Sequence, residues 1–180
     1  MTRGRTVLAL VLVVSACRLE RAPSGRPGGG YALEPDSAAS AEVYAVVRGY
    51  YAALTSRDWR LLGSHFGPRA TIATVRGTTD DTVPRLRTLT IEEFVAGAGQ
   101  AQAEVFADEA LRANIVTYGA LADAWVTHHA RVGAAARTVV SRYGIDAFHL
   151  MKVGGRWRIV GLAFQHEVPG EPIAPGPARR

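Results

Sequence analysis

Gly144-Ile145-Asp146-Ala147-Phe148-His149-Leu150-Met151-Lys152-Val153-Gly154-Gly155-Arg156-Trp157-Arg158-Ile159-Val160 is the stretch on which the fold turns. Asp146, Phe148 and Leu150 recur at every second position, the period of a strand with one buried face. Two consecutive glycines supply the pair of positive φ angles that a two-residue hairpin turn requires. The chain must then return along itself, so Thr138 to Val153 and Arg156 to Glu167 are expected as antiparallel partners. Upstream, Glu104 to Thr117 and Leu121 to Val132 read as two further strands, with turns at Tyr118-Gly119 and at Gly133 to Arg137.

The pattern before Glu104 is different. Val43, Val47, Tyr50 and Leu54, widened by Val46 and Tyr51, lie on one face of a helix that starts after Ser37 or Ser40 and breaks at Arg57-Asp58. A short helix from Trp59 to Phe66, closed by Gly67-Pro68, and a strand from Ala70 to Arg76 follow, and Gly77 to Arg87 reads as a polar loop. Thr90 caps a third helix, Ile91 to Gln100, with Glu93 placed to complete a capping box. Helix, helix, strand, helix and a four-strand meander describe an α+β domain in which helices lie over one face of a curved antiparallel sheet.

The 180 residues, 48% hydrophobic and 21% charged, suit one domain with a single core. The formal charge is +5, but Arg3 and Arg5 precede the domain, and without them 19 positive residues face 16 negative ones. The arginines are scattered and Lys152 is the only lysine, so no basic stripe marks a nucleic-acid partner. No phosphate loop, nucleophile elbow or paired-cysteine motif is present, Ser64-His65 is an isolated dipeptide, and no cofactor or metal is expected.

Arg3 and Arg5 lead into an apolar run from Thr6 to Ala16, too short to cross a bilayer as a helix but right for an export signal. Val14-Ser15-Ala16-Cys17 resembles the lipobox of bacterial lipoproteins. That resemblance implies cleavage after residue 16, acylation of Cys17 and attachment to the cell envelope. In a cell with two membranes, Arg18 after the cysteine favours the outer one. Residues 17–36, rich in Pro, Gly and Arg, read as a tether, 37–167 as the domain, and 168–180, with four prolines, as a disordered tail.

The domain itself resembles the nuclear transport factor two-like superfamily, with its SnoaL-like and lumazine-binding-type members. The matching residues are Tyr50-Tyr51-Ala52-Ala53-Leu54 with Asp58, Leu61-Leu62 through Phe66-Gly67-Pro68-Arg69-Ala70, Ile91-Glu92-Glu93-Phe94, Gly144 to Leu150, and Gly155 to Val160 running to Gln165. The resemblance implies a cone-shaped fold, its curved sheet wrapped around about three N-terminal helices, with a pocket that relatives use for isomerisation, dehydration or simple binding.

Candidate site residues follow from strand alternation. His128 and His129 must point to opposite faces; His128, in step with Ala122, Ala124 and Val126, is preferred inward, though Leu121 and Trp125 allow the other register. Asp146, in step with Phe148 and Leu150, is the candidate base, its carboxyl raised in pKa by burial. Tyr50 or Tyr143 could serve as its hydrogen-bond donor. Tyr50, Trp125, His128, Asp146 and Gln165 are the expected ligand contacts; His149 and His166 are weaker ones, and Trp59, Trp157 and Ile159 read as core. The leading expectation is binding of a small, apolar or aromatic molecule. The alternatives are an isomerase- or dehydratase-like enzyme using Asp146 with His128 or His129, and an envelope protein-interaction module that forms a homodimer through the outer sheet face.

Overall fold

A computed structural model describes residues 38–76, 84–100, 105–133, 139–168 and 170–173. The signal, Cys17 and the tether lie outside these residues. In chain order the elements are α1 (Ala38–Ser56), α2 (Trp59–Ser64), β1 (Phe66–Arg76), β2 (Arg85–Thr90), α3 (Ile91–Gln100), β3 (Val105–Tyr118), β4 (Leu121–Gly133), β5 (Val140–Val153) and β6 (Arg156–His166). The strands form one sheet in the order β2-β1-β6-β5-β4-β3. This is the α+β cone expected from the sequence, with two additions.

The first addition is β2, which occupies part of the stretch expected as a loop. Its alternation is hidden because most of its side chains are exposed on both faces. The second is the parallel pairing of β1 with β6, the one departure from antiparallel order among the described strands. Both depend on partners far away in the chain, which local periodicity does not register. The short second helix also ends earlier than expected, at Ser64, and Phe66 already belongs to β1. Asp58 does not simply break the chain: its carboxylate accepts the Leu61 N–H at 2.8 Å and caps α2.

The helix α1 starts at Ala38, so Ser40 is not its cap but a buried residue within it. Val43, Val47, Tyr50, Tyr51 and Leu54 are buried against the inner face of the sheet, where Val126, Phe148, Leu150 and Ile159 are fully enclosed. Each such side chain contributes roughly 1.5–3 kcal/mol by leaving water. Glu42 ties the start of α1 to the last hairpin, accepting from Lys152 Nζ at 2.5 Å and Trp157 Nε1 at 2.9 Å. The capping box is formed as read, with Glu93 accepting from Thr90 N and Thr90 Oγ1 from Glu93 N. Gly154 and Gly155 adopt φ of 57° and 76°, the conformation the β5–β6 turn demands.

Three register shifts bend the sheet, between Phe66 and Thr71, Ala110 and Arg112, and His149 and Leu150. The stretch expected as a tail begins with an ordered turn: Val168 bridges Glu171, and the Ile173 N–H reaches Glu167 Oε1 at 2.8 Å.

Candidate functional site

The inner face of β4 carries His128, and the register explains its surroundings. His128 lies opposite Ala110 on β3 and Gly144 on β5, two residues too small to block an imidazole. Its diagonal neighbours are therefore in reach. Asp108, two residues from Ala110, accepts from His128 Nδ1 at 2.8 Å. Asp146, two residues from Gly144, places Oδ1 3.6 Å from His128 Nε2. The fit over Gly144 is tight enough that a Cβ there would stand 2.1 Å from His128 Nε2.

The helix α1 closes this cluster from above. The Tyr51 hydroxyl donates to Asp146 Oδ2 at 2.5 Å, and its ring stacks on His128. One turn later Thr55 Oγ1 accepts from Asp108 N and donates to Asp108 O, fixing the strand that carries the second carboxylate. The result is a chain of contacts, Tyr51 to Asp146 to His128 to Asp108, drawn from α1, β5, β4 and β3.

Burial and charge pull these groups in opposite directions. Desolvation pushes the Asp146 carboxyl up to about 6, although the His128 charge and the Tyr51 hydrogen bond both favour its ionised form. Burial alone would pull the His128 imidazole down, but the Asp108 hydrogen bond and the charges of Asp146 and Asp108 outweigh it and raise the pKa above its ordinary 6.5. Tyr51, buried beside those carboxylates, is held well above the usual phenol range and remains a donor. The Asp146 carboxyl and the His128 imidazole, 3.6 Å apart, form a buried ion pair when both are charged, and His128 Nε2 makes no direct hydrogen bond.

The expected ligand contacts divide between the two faces. Tyr50, His128 and Asp146 are inward and buried. Tyr50 does not donate to Asp146; it packs edge-on against Phe66 and Phe148 as part of the core. Trp125 is 53% exposed on the outer face, and Gln165 shares that face. His129 is also outward, bonded to Ser141 and stacked on Tyr143, so neither it nor Tyr143 joins the inner cluster. His149 pairs with Asp123 in solvent, whereas His166 lies inside, its ring 5.7 Å from that of His128. Trp59 and Trp157 pack with the core, as does Ile159.

Tyr51 and Asp108 are the members that sequence reasoning missed. Tyr51 read as one more apolar contact of α1. Asp108 stood in a strand without an assigned face; its alternation with Phe106 and Ala110 was the available signal. Among the described residues, no group of three or more His, Cys, Asp or Glu could hold a metal ion.

Two of the cavities among the described residues lie on either face of the sheet, and neither is lined by the cluster. Under α1 the hollow of the cone is filled by Tyr50, Tyr51, Phe66 and Phe148. Under α3 it is open, with a volume of about 280 Å³ between Phe94, Gly97 and Ala98 of the helix and Ile72, Leu89 and Phe164 of the sheet, with Arg87, Glu93 and Thr74 as its polar groups. The Phe164 ring separates this hollow from His166 and, beyond it, His128. A second cavity of about 450 Å³ lies on the outer face, beside the turn at 167–173.

No curated protein sequence matches the chain. Among solved structures, a nuclear transport factor two-like protein of unknown function from Shewanella baltica is similar, with 20% identity and a TM-score of 0.52, over 71% of this chain and 93% of that one. A protein from Streptomyces avermitilis titled a putative dehydratase of the same fold family is 12% identical, with a TM-score of 0.57, over 71% and 95%. A protein of unknown function from Pseudomonas putida is 13% identical, with a TM-score of 0.57, over 79% and 93%. At these identities the likeness establishes the fold alone. The family model described as putative lumazine-binding matches residues 38–165, nearly the whole of the helices and sheet traced above, and the chain therefore belongs to that family, with the fold of the nuclear transport factor two-like proteins.

Proposed function

We propose that this protein is a lipoprotein of the cell envelope whose domain binds a small, partly apolar molecule in the open end of the cone. The single observation that carries the binding reading is the hollow under α3. It is walled by Ile72, Leu89, Phe94 and Phe164 and edged by Arg87 and Glu93, which is the apolar lining with few polar groups that small-molecule sites use. At about 280 Å³ it admits a molecule of one or two rings. The family's description and its pocket-bearing fold support the same reading. The anchor rests on the sequence Val14-Ser15-Ala16-Cys17 and the signal before it.

Thermal-shift screening tests the binding, because a ligand held only by the folded state raises the unfolding midpoint. A hit should lose its effect in Gly97→Leu, since Gly97 lines the hollow and a Cβ added there meets nothing within 4 Å, so the larger side chain takes up free space at the site without displacing a neighbour. A hit indifferent to that change rejects the site. Mass spectrometry of the membrane fraction tests the anchor: an unmodified Cys17, or a mature chain that starts elsewhere, rejects it.

A second reading, an isomerase- or dehydratase-like activity, is favoured by the carboxyl of Asp146 poised at about 6 beside His128. Here Asp146 takes a proton from the substrate and Tyr51 and His128 stabilise the charge that develops. The substrate must then displace Phe164 from its place between the hollow and the cluster. Imidazole nitrogen resonances of His128 test this reading: they must shift when a hit binds, and their silence restricts the protein to binding.

A further inference from the structure

The outer face of the sheet carries a trough whose floor is made by one row of residues in register across four strands. Ala73 on β1 pairs with Ala163 on β6, Ala163 pairs with Ala147 on β5, and Ala147 pairs with Trp125 on β4. Adjacent strands are about 4.8 Å apart, so the three alanines give roughly 10 Å of floor with nothing beyond a Cβ, ending against an indole. Val75 and Leu86 of the β1–β2 pair line it as well, as do Val168 and Ile173 of the turn after β6. The turn that carries this last pair is braced, with Gly170 at φ 88°, Glu171 N–H donating to Val168 O, and Ile173 N–H donating to Glu167 Oε1.

The trough is open to solvent and has a volume of about 450 Å³, within the roughly 300–1,000 Å³ typical of small-molecule sites. A smooth floor of methyl groups offers no holes for a branched ligand but touches a flat ring over its whole face. Polarity selects further. Glu167 and Glu171 line the trough together with Gln165, and no lysine or arginine is among the described residues that do. Trp125, half-exposed at the end of the row, adds a ring face that attracts cations.

From this row, its walls and its charge we infer that the trough is a second ligand site, distinct from the hollow under α3, and that its occupant is a planar aromatic ring system bearing an amino or other cationic group. The ring lies on Ala147 and Ala163 with its edge towards Trp125. Its cationic substituent faces Glu171.

Proflavine, a flat diaminoacridine cation, is the probe, and 9-anthracenecarboxylate, a similar ring system of opposite charge, is its control. Fluorescence anisotropy should give saturable binding of one proflavine per chain, with quenching that is lost in Trp125→Phe, and no comparable binding of the anthracene. Ala163→Leu, on the exposed face, should abolish binding with the thermal midpoint unchanged. Glu171→Gln should weaken it about tenfold by removing one charge partner, and Gly97→Leu should leave it intact. Equal binding of the anionic control, normal binding by Ala163→Leu, or loss in Gly97→Leu would overturn the assignment. So would sedimentation showing a dimer whose second copy covers Trp125 and excludes proflavine.

Discussion

Each face of β4, β5 and β6 carries a local exception to the usual distribution of polarity. On the inner face, His128 and Asp146 sit with Tyr51 among fully buried apolar side chains. On the outer face, one row away in the pleat, Trp125, Ala147 and Ala163 are wholly or partly open to solvent. A sheet built for stability alone would place these sets the other way round, because a buried charge must be matched by partners and an exposed indole contributes little to folding. The difference teaches that each face answers to a constraint beyond folding: the inner one to a proton-bearing cluster held by four elements, the outer one to an apolar surface left available.

This contrast can be broken by substitution. The largest effect is expected from His128→Ala, which leaves Asp108 and Asp146 facing each other across a void. Removing one member of a buried ionic group costs about 3–5 kcal/mol, and denaturant unfolding should register it. A loss below about 1 kcal/mol, the range of exposed pairs, would mean that the cluster is not the closed unit its geometry describes.

Gly144→Ala comes next. The new Cβ meets His128 Nε2 at 2.1 Å, so the imidazole must leave its place over the strand. Overpacking of this kind costs about 1–3 kcal/mol. The same unfolding assay on Ala147→Val, on the opposite face of the same strand, should change stability by no more than about 0.5 kcal/mol. Equal effects at 144 and 147 would erase the distinction between the faces.

A subtler change sharpens the inner face. Tyr51→Phe removes one hydrogen bond to a carboxylate, worth about 1.5–3 kcal/mol, and removes a group that favours ionised Asp146. The Asp146 carboxyl, already near 6, should then titrate higher, as carboxyl carbon resonances would reveal. Asp146→Asn should lower the His128 pKa, because the Asp146 charge is one of the causes that raise it.

The sign of the pH dependence follows from the same pair. Asp146 has a folded value of about 6 against 3.8 in a free side chain, so between those pH values the native state holds a proton that the unfolded chain has released. Stability from this group therefore falls as pH rises across that window. The raised His128 value acts in the same direction: its contribution is complete below 6.5 and is lost as pH climbs through the folded pKa. Denaturation curves from pH 4 to 9 should decline with this slope in the wild type relative to an Asp146→Asn, His128→Gln variant. A matching slope in both would place the linkage elsewhere.

The smallest effect is reserved for Trp125→Ala. Its side chain is 53% exposed, so the cost to stability should stay near about 0.5 kcal/mol while ligand capture on the outer face disappears.

Much of this was legible in the chain. The period of α1, the capping box at Thr90 and Glu93, and the alternation of β5 are local signals, and each element formed where they placed it. The strand β2 was not, because edge strands exposed on both faces carry no alternation. Of the cluster, Asp146 and His128 stood out as polar residues in step with apolar ones. Tyr51 did not, since a tyrosine on an apolar helical stripe gives no sign of where its hydroxyl ends.

The sequence by itself determined which residues share a face, since the periods of helix and strand are properties of the backbone. Tertiary structure alone decided which face turned inward and which distant residues met. Inwardness is a comparison between competing packings of the whole sheet, and the meeting of His128 with Asp108 and Asp146 depends on a register set by pairing across three strands and by the bulge at Leu111. A shift of one residue in either pairing would have sent those carboxylates to the solvent side.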